Sequence, residues 1–404
     1  MCEINHIKAG WLIDGSGSPV QKQMLLTIKN GIFTGVDRFA EVNSPDPASI
    51  TDLSLCTILP PFVDCHVHLC MSGSTDQRVR KQQLTAEYND LRPRIAQHLH
   101  DHFSHGVLAV RDGGDRQGHV LRYKNEATEV RKEPVFLKVA GRAWHKKGRY
   151  GHFIGRSLND TETLAAACLR DNEAIDHIKL VNSGLNSLSV FGQETSPQFS
   201  LDELKELVTH VHQRGKKVMV HANGQLPVRL ALQAGCDSIE HGFFMGKENL
   251  KLMAELQTTW VPTAFTMKAY ADTLEPNDTQ IDRGVVKKNL YHQLEQIALA
   301  RELGVPIALG TDAGSKGVLH GESVVEEMKL LMKAGYPLSE AVRCATGNGA
   351  HLLDIDGTGL IAKGKPADFL VARATPAMLP RKFSFLEAIY LGGSPCDMQF
   401  FNKV

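Results

Sequence analysis

Two histidines with the spacing of a metal-binding pair follow the first strongly apolar run of the chain. His66 and His68 lie at the end of LPPFVDCHVHL, and residues 58–67 are predicted to form a strand. Residues two apart on an extended strand point to the same side, so both imidazoles can reach one cation. An isolated pair of this kind is more often two ordinary histidines, so further ligands must come from elsewhere in the sequence.

A lysine occupies the middle of another apolar run, HIKLV, where a charged side chain is costly to bury. As an ammonium group, Lys179 has only hydrogen-bond donors and cannot bind a metal. Addition of CO₂ to the amine gives a carbamate, an anionic group whose two oxygens can bridge two cations. A lysine at the edge of a sheet is the alternative explanation.

Three more candidate ligands each follow a short apolar run: His221 after VMV, His241 after DSIE and Asp312 after PIALG. Each residue, taken singly, could have a capping or core role. Their common position at the carboxyl end of a predicted strand is hard to explain by coincidence. Imidazole, carbamate and carboxylate groups together suit zinc or a similar first-row metal.

The elements that must position these side chains alternate between strands and helices over residues 58–354. Such alternation predicts parallel strands joined by helical crossovers. Ser200 and Glu203 predict a capping box at the start of one of these helices. Gly215 is predicted to end the same helix. We expect an α/β fold, a TIM (β/α)8 barrel, because that fold gathers catalytic residues at the carboxyl ends of its strands. A doubly wound open sheet is the alternative.

Both ends of the chain are instead rich in short strands and turns. Asn30-Gly31 predicts a tight hairpin turn, because both residues tolerate a positive φ. We expect residues 1–57 and 355–404 to form one small β-sandwich domain beside a barrel made of residues 58–354.

Composition narrows the class of protein. The 404 residues include 45 Lys+Arg and 45 Asp+Glu, so the formal net charge is +0 and a general nucleic-acid or membrane-surface binder is disfavoured. No apolar run approaches the roughly 18 residues of a membrane span, and the N-terminus lacks a secretory signal pattern. The 8 cysteines are scattered without a CxxC pair, which favours reduced thiols and a cytoplasmic location.

Several motifs together resemble the amidohydrolase superfamily, in its binuclear branch with a carboxylated lysine. The similarity is to imidazolonepropionase-like and prolidase-like dipeptidases, and it covers nearly the whole chain. The motifs that carry it are LPPFVDCHVHL, IKLVNSG, VMVHANG, DSIEHGFF, LGTDAG and the stretch ATGNGAHLLDIDGTGLIAKGKPADFLV. Pro61, Asn223 and the RYGH stretch depart from the family pattern, and none of these changes removes a ligand.

The resemblance implies two divalent metal ions, with Zn²⁺ expected, and a hydroxide that bridges them and attacks a carbonyl carbon. The implied ligands are His66, His68 and Asp312 for one ion, His221 and His241 for the other, and carbamylated Lys179 between them. Asp312 would accept a proton and pass it to the leaving group, and His152, in the pair Gly151-His152, would help bind the carbonyl oxygen.

The implied activity is cleavage of a carbon–nitrogen bond in a small molecule such as a dipeptide, an N-acyl amino acid or a cyclic amide. Family analogy also implies a homo-oligomer. Arg111, Arg142 and Arg149 are candidate substrate-binding residues, with a structural turn (Arg111) or a solvated loop (the other two) as the alternative.

Other functions use the same fold. A mononuclear deaminase usually lacks the strand lysine, a phosphotriesterase or lactonase shares the metal site, and a metal-free scaffold protein typically loses ligands. One further cluster, His98, His102 and His105, lies on one predicted helical face, and we interpret it as a solvated surface.

Overall fold

The structure, a computed structural model, describes residues 4–42, 45–130, 134–159, 162–171, 173–274, 281–355 and 357–396. These residues form an α/β fold with one sheet built from the two ends of the chain and two parallel sheets between them. In the described residues no helix is long and apolar enough to cross a membrane.

Strands from both ends of the chain pair in one sheet of seven, in the order β16-β15-β14-β4-β1-β2-β3. Its strands are β1 Ile4–Leu12, β2 Gln21–Lys29, β3 Ile32–Arg38, β4 Ile50–Leu59, β14 Phe369–Ala372, β15 Ala388–Leu391 and β16 Ser394–Pro395. The predicted hairpin turn is confirmed, since β2 and β3 are antiparallel and Asn30 and Gly31 have φ values of 52° and 75°.

The parallel strands lie in two sheets, one of three strands in the order β5-β6-β7 and one of six in the order β13-β12-β11-β10-β8-β9. These strands are β5 Phe62–Val67, β6 Val107–Asp112, β7 Phe136–Val139, β8 Ala143–His145, β9 Gly155–Ser157, β10 His177–Val181, β11 Lys217–Ala222, β12 Ser238–His241 and β13 Thr259–Val261. The strand predicted over residues 58–67 is therefore two strands, because Pro60 and Pro61 lack the N–H groups that a continuous ladder needs.

The described strands do not close into a single hydrogen-bonded ring. Residues 306–310 nevertheless lie between β13 and β5: the Ala308 amide donates to the Trp260 carbonyl at 3.0 Å, and the Cys65 amide donates to the Leu309 carbonyl at 2.9 Å. On the other side, the Asp176 amide donates to the Val139 carbonyl of β7 at 2.9 Å, just before β10.

Helices follow most of the parallel strands and pack their apolar faces on them. They are α1 Gln77–Thr85, α2 Tyr88–Ser104, α3 His119–Val130, α4 Leu164–Arg170, α5 Leu201–Gln213, α6 Gln225–Ala234, α7 Lys247–Leu256, α8 Phe265–Thr273, α9 Arg283–Leu303, α10 Ser323–Lys333, α11 Leu338–Cys344 and α12 Gly347–Leu352, with short 3₁₀ turns at Phe39–Glu41, Pro47–Ser49, Pro376–Met378 and Arg381–Ser384. The predicted capping box is confirmed at the start of α5, where the Ser200 hydroxyl accepts from the Glu203 amide and the Glu203 carboxylate accepts from the Ser200 amide.

The interpretation of the α2 histidines as a solvated surface is wrong for two of the three. His98 and His102 are only 6% and 0% exposed. The His320 ring stacks on His98 with centroids 4.1 Å apart, and its Nδ1 lies 3.1 Å from Nε2 of His102. The sequence pattern of α2 cannot reveal this cover, because His320 comes from a distant loop that follows Asp312.

Candidate active site

The carboxyl end of β5 presents the predicted histidine pair, and a long-range backbone contact brings Asp312 to it. The Asp312 amide donates to the His66 carbonyl at 2.7 Å, and the His68 amide donates to the Ala313 carbonyl at 2.8 Å. Residues 306–313 thus run beside β5, which places the Asp312 carboxylate next to both imidazoles.

His66, His68 and Asp312 form a compact group of ligand atoms. Oδ1 of Asp312 lies 3.4 Å from Nε2 of His68 and 3.7 Å from Nε2 of His66, and one ligand atom from each residue lies within 4.8 Å of the others. Among the described residues, this is the only such group of three His, Cys, Asp or Glu side chains. Two imidazole nitrogens and a carboxylate oxygen are a donor set that fits a divalent first-row metal.

The other ring nitrogen of each of these histidines is already engaged. Nδ1 of His66 lies 2.8 Å from Oε2 of Glu240, and Nδ1 of His68 lies 3.0 Å from the Gly114 carbonyl oxygen. These acceptors favour protonation at Nδ1 and leave Nε2 as the lone-pair donor, which is the usual arrangement around a metal-binding histidine. Burial lowers the pKa of His68 to about 4, so its ring is neutral at pH 7.

Lys179 lies on β10 and is almost fully buried at 1% exposure. Its Nζ is 3.4 Å from Nε2 of His66, and no described carboxylate oxygen lies within 4.0 Å of it. Burial, the largest effect, lowers the pKa of the amine to about 8. At pH 7 about a tenth of the amine is then neutral, and the neutral amine is the form that reacts with CO₂.

His221 and His241, at the ends of β11 and β12, lie beside the first pair. The His221 and His241 ring centroids are 4.6 Å apart, and those of His241 and His66 are 5.0 Å apart. Nε2 of His221 is 3.0 Å from the Gly184 carbonyl oxygen and Nδ1 of His241 is 2.7 Å from the Thr263 hydroxyl, so each ring retains one other nitrogen. Burial lowers the pKa of His221 to about 3 and that of His241 well below its ordinary value.

A hydrogen bond to its second carboxylate oxygen, Oδ2, also holds Asp312 in place. The Ser315 hydroxyl donates to Oδ2 of Asp312 at 2.8 Å. Burial raises the pKa of the carboxyl to about 6, above the usual range of an aspartate. A carboxylate with a pKa close to neutrality can accept and return a proton under physiological conditions.

A cavity of about 280 Å³ opens onto these side chains. Much of its wall is apolar, and the apolar lining includes Leu84, Leu91, Phe153, Ile154, Leu188 and Met267. Its polar lining includes Arg80, Tyr150 and Tyr270. Arg80, on α1, donates from Nη1 to the Gly314 carbonyl at 2.9 Å, and no described carboxylate forms an ion pair with it.

The other predicted residues lie outside this cavity. The Arg111 guanidinium is buried beneath it, where it donates to the Glu240 carboxylate at 2.8 Å and to the Cys65 carbonyl at 2.7 Å. Arg142 forms an ion pair with Glu173. Arg149 and His152 are each exposed, the first donating to the Ser196 carbonyl at 2.8 Å. The structure therefore brings together all six predicted metal ligands but not the predicted substrate-binding arginines or His152.

Four residues of the site were not singled out from the sequence: Glu240, Arg80, Tyr150 and Tyr270. Glu240 had a signal, because a carboxylate inside the apolar run DSIE is rarely buried without a partner. Arg80 and Tyr270 lie on helices, and no local sequence pattern shows which side of those helices lines the cavity.

Comparison with known proteins agrees with this arrangement. A model of the amidohydrolase family matches residues 57–392. Ochratoxinase of Aspergillus niger is 24% identical over 413 residues, covering 93% of this chain and 82% of the relative, and imidazolonepropionase of Pyrobaculum arsenaticum is 21% identical over 375 residues, covering 86% and 85%.

Solved structures give the same result. A Xaa-Pro dipeptidase crystallised with methionine in its active site is 27% identical, with a TM-score of 0.82 and coverage of 97% of this chain and 99% of that chain. The A. niger ochratoxinase structure has a TM-score of 0.76 at 20% identity, covering 98% and 95%. This chain belongs to the amidohydrolase family, hydrolases that act on carbon–nitrogen bonds.

Proposed function

We propose that this protein is a metal-dependent amidohydrolase that cleaves the amide bond of a small substrate, a dipeptide or an N-acyl amino acid. The observation that carries this proposal is the convergence of His66, His68 and Asp312 within 4.8 Å at the floor of a cavity. The engaged Nδ1 atoms of both histidines support it, because they orient the remaining nitrogens as ligands.

The fold that we propose is a TIM barrel whose eight strands are β5, β6, β7, β10, β11, β12, β13 and residues 306–310. Its support is that neighbouring strands follow chain order and that backbone hydrogen bonds join residues 306–310 to β13 and β5. The barrel takes residues 58–354, and the composite β domain takes residues 1–57 and 355–404.

The buried ligands fit two divalent ions, with Zn²⁺ the natural choice for a nitrogen-rich set. His66, His68 and Asp312 would hold one ion and His221 and His241 the other, with Lys179 between them as a carbamate. When bound, such ions lower the pKa of water and polarise a carbonyl group.

The protein's own groups position the substrate and move the proton. Water adds to the carbonyl carbon and gives its proton to the Asp312 carboxylate, which lies in the cavity beside the ligand histidines. Asp312 then returns the proton to the amine nitrogen as the carbon–nitrogen bond breaks, yielding a carboxylic acid and an amine. The Ser315 hydroxyl keeps the carboxylate oriented during both transfers.

The cavity favours a substrate that has both an anionic group and an apolar side chain. Arg80 is a partly buried cation in the cavity wall and has no carboxylate partner among the described residues. A substrate carboxylate would supply that partner through a charge-assisted hydrogen bond. The apolar wall formed by residues such as Leu91 and Met267 would receive the side chain of the same amino acid.

Metal content and activity test the proposal together. The purified protein should contain about two equivalents of metal, and it should hydrolyse members of a panel of dipeptides and N-acyl-L-amino acids. Lys179→Ala should lose metal and activity, whereas the matched variant Lys205→Ala, on the exposed face of α5, should retain both. A metal-free wild type, or one that hydrolyses no member of the panel, would contradict the proposal.

A further inference from the structure

The residue expected from the resemblance to bind the carbonyl oxygen lies away from the ligand cluster. His152 is exposed and packs edge-on against Phe153, with ring centroids 5.5 Å apart. It lines a separate surface hollow with Lys81 and Arg116.

Tyr150, two residues earlier, lies in the cavity instead. Its ring is 5.2 Å from the His221 ring and 5.2 Å from the Phe153 ring. Its backbone carbonyl accepts a hydrogen bond from Nε2 of Gln198 at 2.8 Å, which anchors the segment. The aromatic ring is therefore fixed directly beside a predicted ligand of the second ion.

The backbone of Gly151 explains why the two side chains point to different places. Gly151 has φ of +126°, a region that residues with a Cβ rarely adopt. A Cβ there would lie 2.9 Å from Cβ of His145. The turn that only glycine permits at this point sends Tyr150 into the cavity and His152 to the surface.

The Tyr150 hydroxyl is available to a ligand. In the described part of the chain no group hydrogen-bonds to it, and Tyr150 lines the same cavity as Lys179, His241 and Asp312. Burial raises the pKa of the Tyr150 phenol well above its ordinary value, so it keeps its proton at neutral pH and is a hydrogen-bond donor.

We propose that the Tyr150 hydroxyl, in place of His152, donates a hydrogen bond to the scissile carbonyl oxygen as negative charge develops on it. This inference rests on the proposed amide hydrolysis. A fixed donor aimed at an oxygen that gains charge stabilises the transition state more than the ground state. Tyr150 is thus a catalytic residue of this chain, and its ring, packed on His221, keeps the hydroxyl in place.

The test is Tyr150→Phe, which keeps the ring and its packing and removes only the hydroxyl. With the best substrate of the panel, kcat should fall about 10²–10³-fold, as for loss of one such donor, with KM changed little. Metal content should be the same as in the wild type. Tyr291→Phe, at a tyrosine that is 55% exposed on α9, is the matched control and should leave kcat unchanged.

Binding gives a second readout that does not depend on turnover. N-methylphosphonyl-L-leucine has a tetrahedral phosphorus with a charged oxygen, whereas the product L-leucine has neither. By calorimetry, Tyr150→Phe should weaken the first ligand by about 100-fold, matching the expected loss in kcat, and the second hardly at all.

The outcomes separate this inference from the proposed function. An active wild type whose Tyr150→Phe variant has normal kcat and normal affinity for the phosphonyl ligand would overturn the inference alone. The same holds if His152→Ala carries the loss and Tyr150→Phe does not. A wild type that hydrolyses no member of the panel and binds no phosphonyl ligand would overturn the proposed function and this inference with it.

Discussion

Oε2 of Glu240 lies 2.8 Å from Nδ1 of His66, and the exposed fractions of the two side chains are 0% and 1%. The contact joins the middle of β12 to the end of β5 across the interior of the protein. It fixes both the ring orientation of His66 and the nitrogen on which its proton resides.

Glu240→Gln should therefore weaken metal binding. The amide has nearly the same shape but cannot stabilise the Nδ1 proton as a carboxylate does. We expect the metal affinity to fall about 10–100-fold, the range typical of losing such a partner. Competition with a chromophoric chelator measures it, and Glu248→Gln, an exposed glutamate on α7, is the control. Equal affinities in Glu240→Gln and the wild type would refute a role for Glu240 in orienting His66.

The same carboxylate stabilises a buried charge. Arg111 donates to Oε1 of Glu240 at 2.8 Å and is 4% exposed. Arg111→Met leaves the Glu240 carboxylate without its cation, so we expect a loss of about 3–5 kcal/mol in the free energy of unfolding. The double variant Arg111→Met/Glu240→Leu should recover much of that loss, because neither charge remains.

Urea denaturation measures both variants. Arg122→Met removes an arginine from the exposed pair that it forms with Glu126 on α3 and should change stability little. If Arg111→Met is no more destabilising than Arg122→Met, the buried pair does not have the role assigned to it.

The strand ends and the ligands were predictable because they follow a local rule. His221 and His241 each end a short apolar run, and parallel strands bring such ends to one edge. The tight turn at Asn30-Gly31 and the cap at Ser200 were predictable for the same reason, since each depends on neighbouring residues.

What the sequence could not show depends on contacts between distant segments. His98 and His102 are buried because a loop from a distant part of the chain covers them. His320 of that loop is 218 positions from His102. That Tyr150 and not His152 lines the cavity depends on the backbone angle φ of Gly151. The presence of a glycine in the sequence does not specify that angle.

Metal binding should depend on pH in two steps. In the metal-free protein, burial raises the pKa of Asp312 to about 6 and lowers that of Lys179 to about 8. Below pH 8 the fraction of neutral amine, the form that reacts with CO₂, falls by about tenfold per pH unit, so metal held through the carbamate should be lost first. Below pH 6 a proton on Asp312 competes with the first ion, and its affinity should fall by about tenfold per pH unit.

Equilibrium dialysis against buffered zinc from pH 9 to pH 5, in the presence of bicarbonate, checks this order. The histidines contribute little over that range, because burial lowers the pKa of His68 to about 4 and that of His221 to about 3. Lys179→Ala should abolish the upper step. Metal content that stays unchanged from pH 9 to pH 5 would mean that the imidazoles alone determine affinity.

Arg80→Met should raise KM selectively for substrates that have a free carboxylate. The guanidinium is held at the cavity wall by the Gly314 carbonyl, 2.9 Å from Nη1, and replacement by methionine keeps the apolar stem. Loss of a charge-assisted hydrogen bond of about 1.5–3 kcal/mol corresponds to a rise of about 10–150-fold in KM for N-acetyl-L-leucine. The methyl ester of the same compound has no carboxylate, so its KM should hardly change. Arg78→Met, at a side chain that is 93% exposed two residues earlier, is the control and should affect neither compound. Equal effects of Arg80→Met on the acid and the ester would show that Arg80 supports the cavity wall rather than binding the substrate anion.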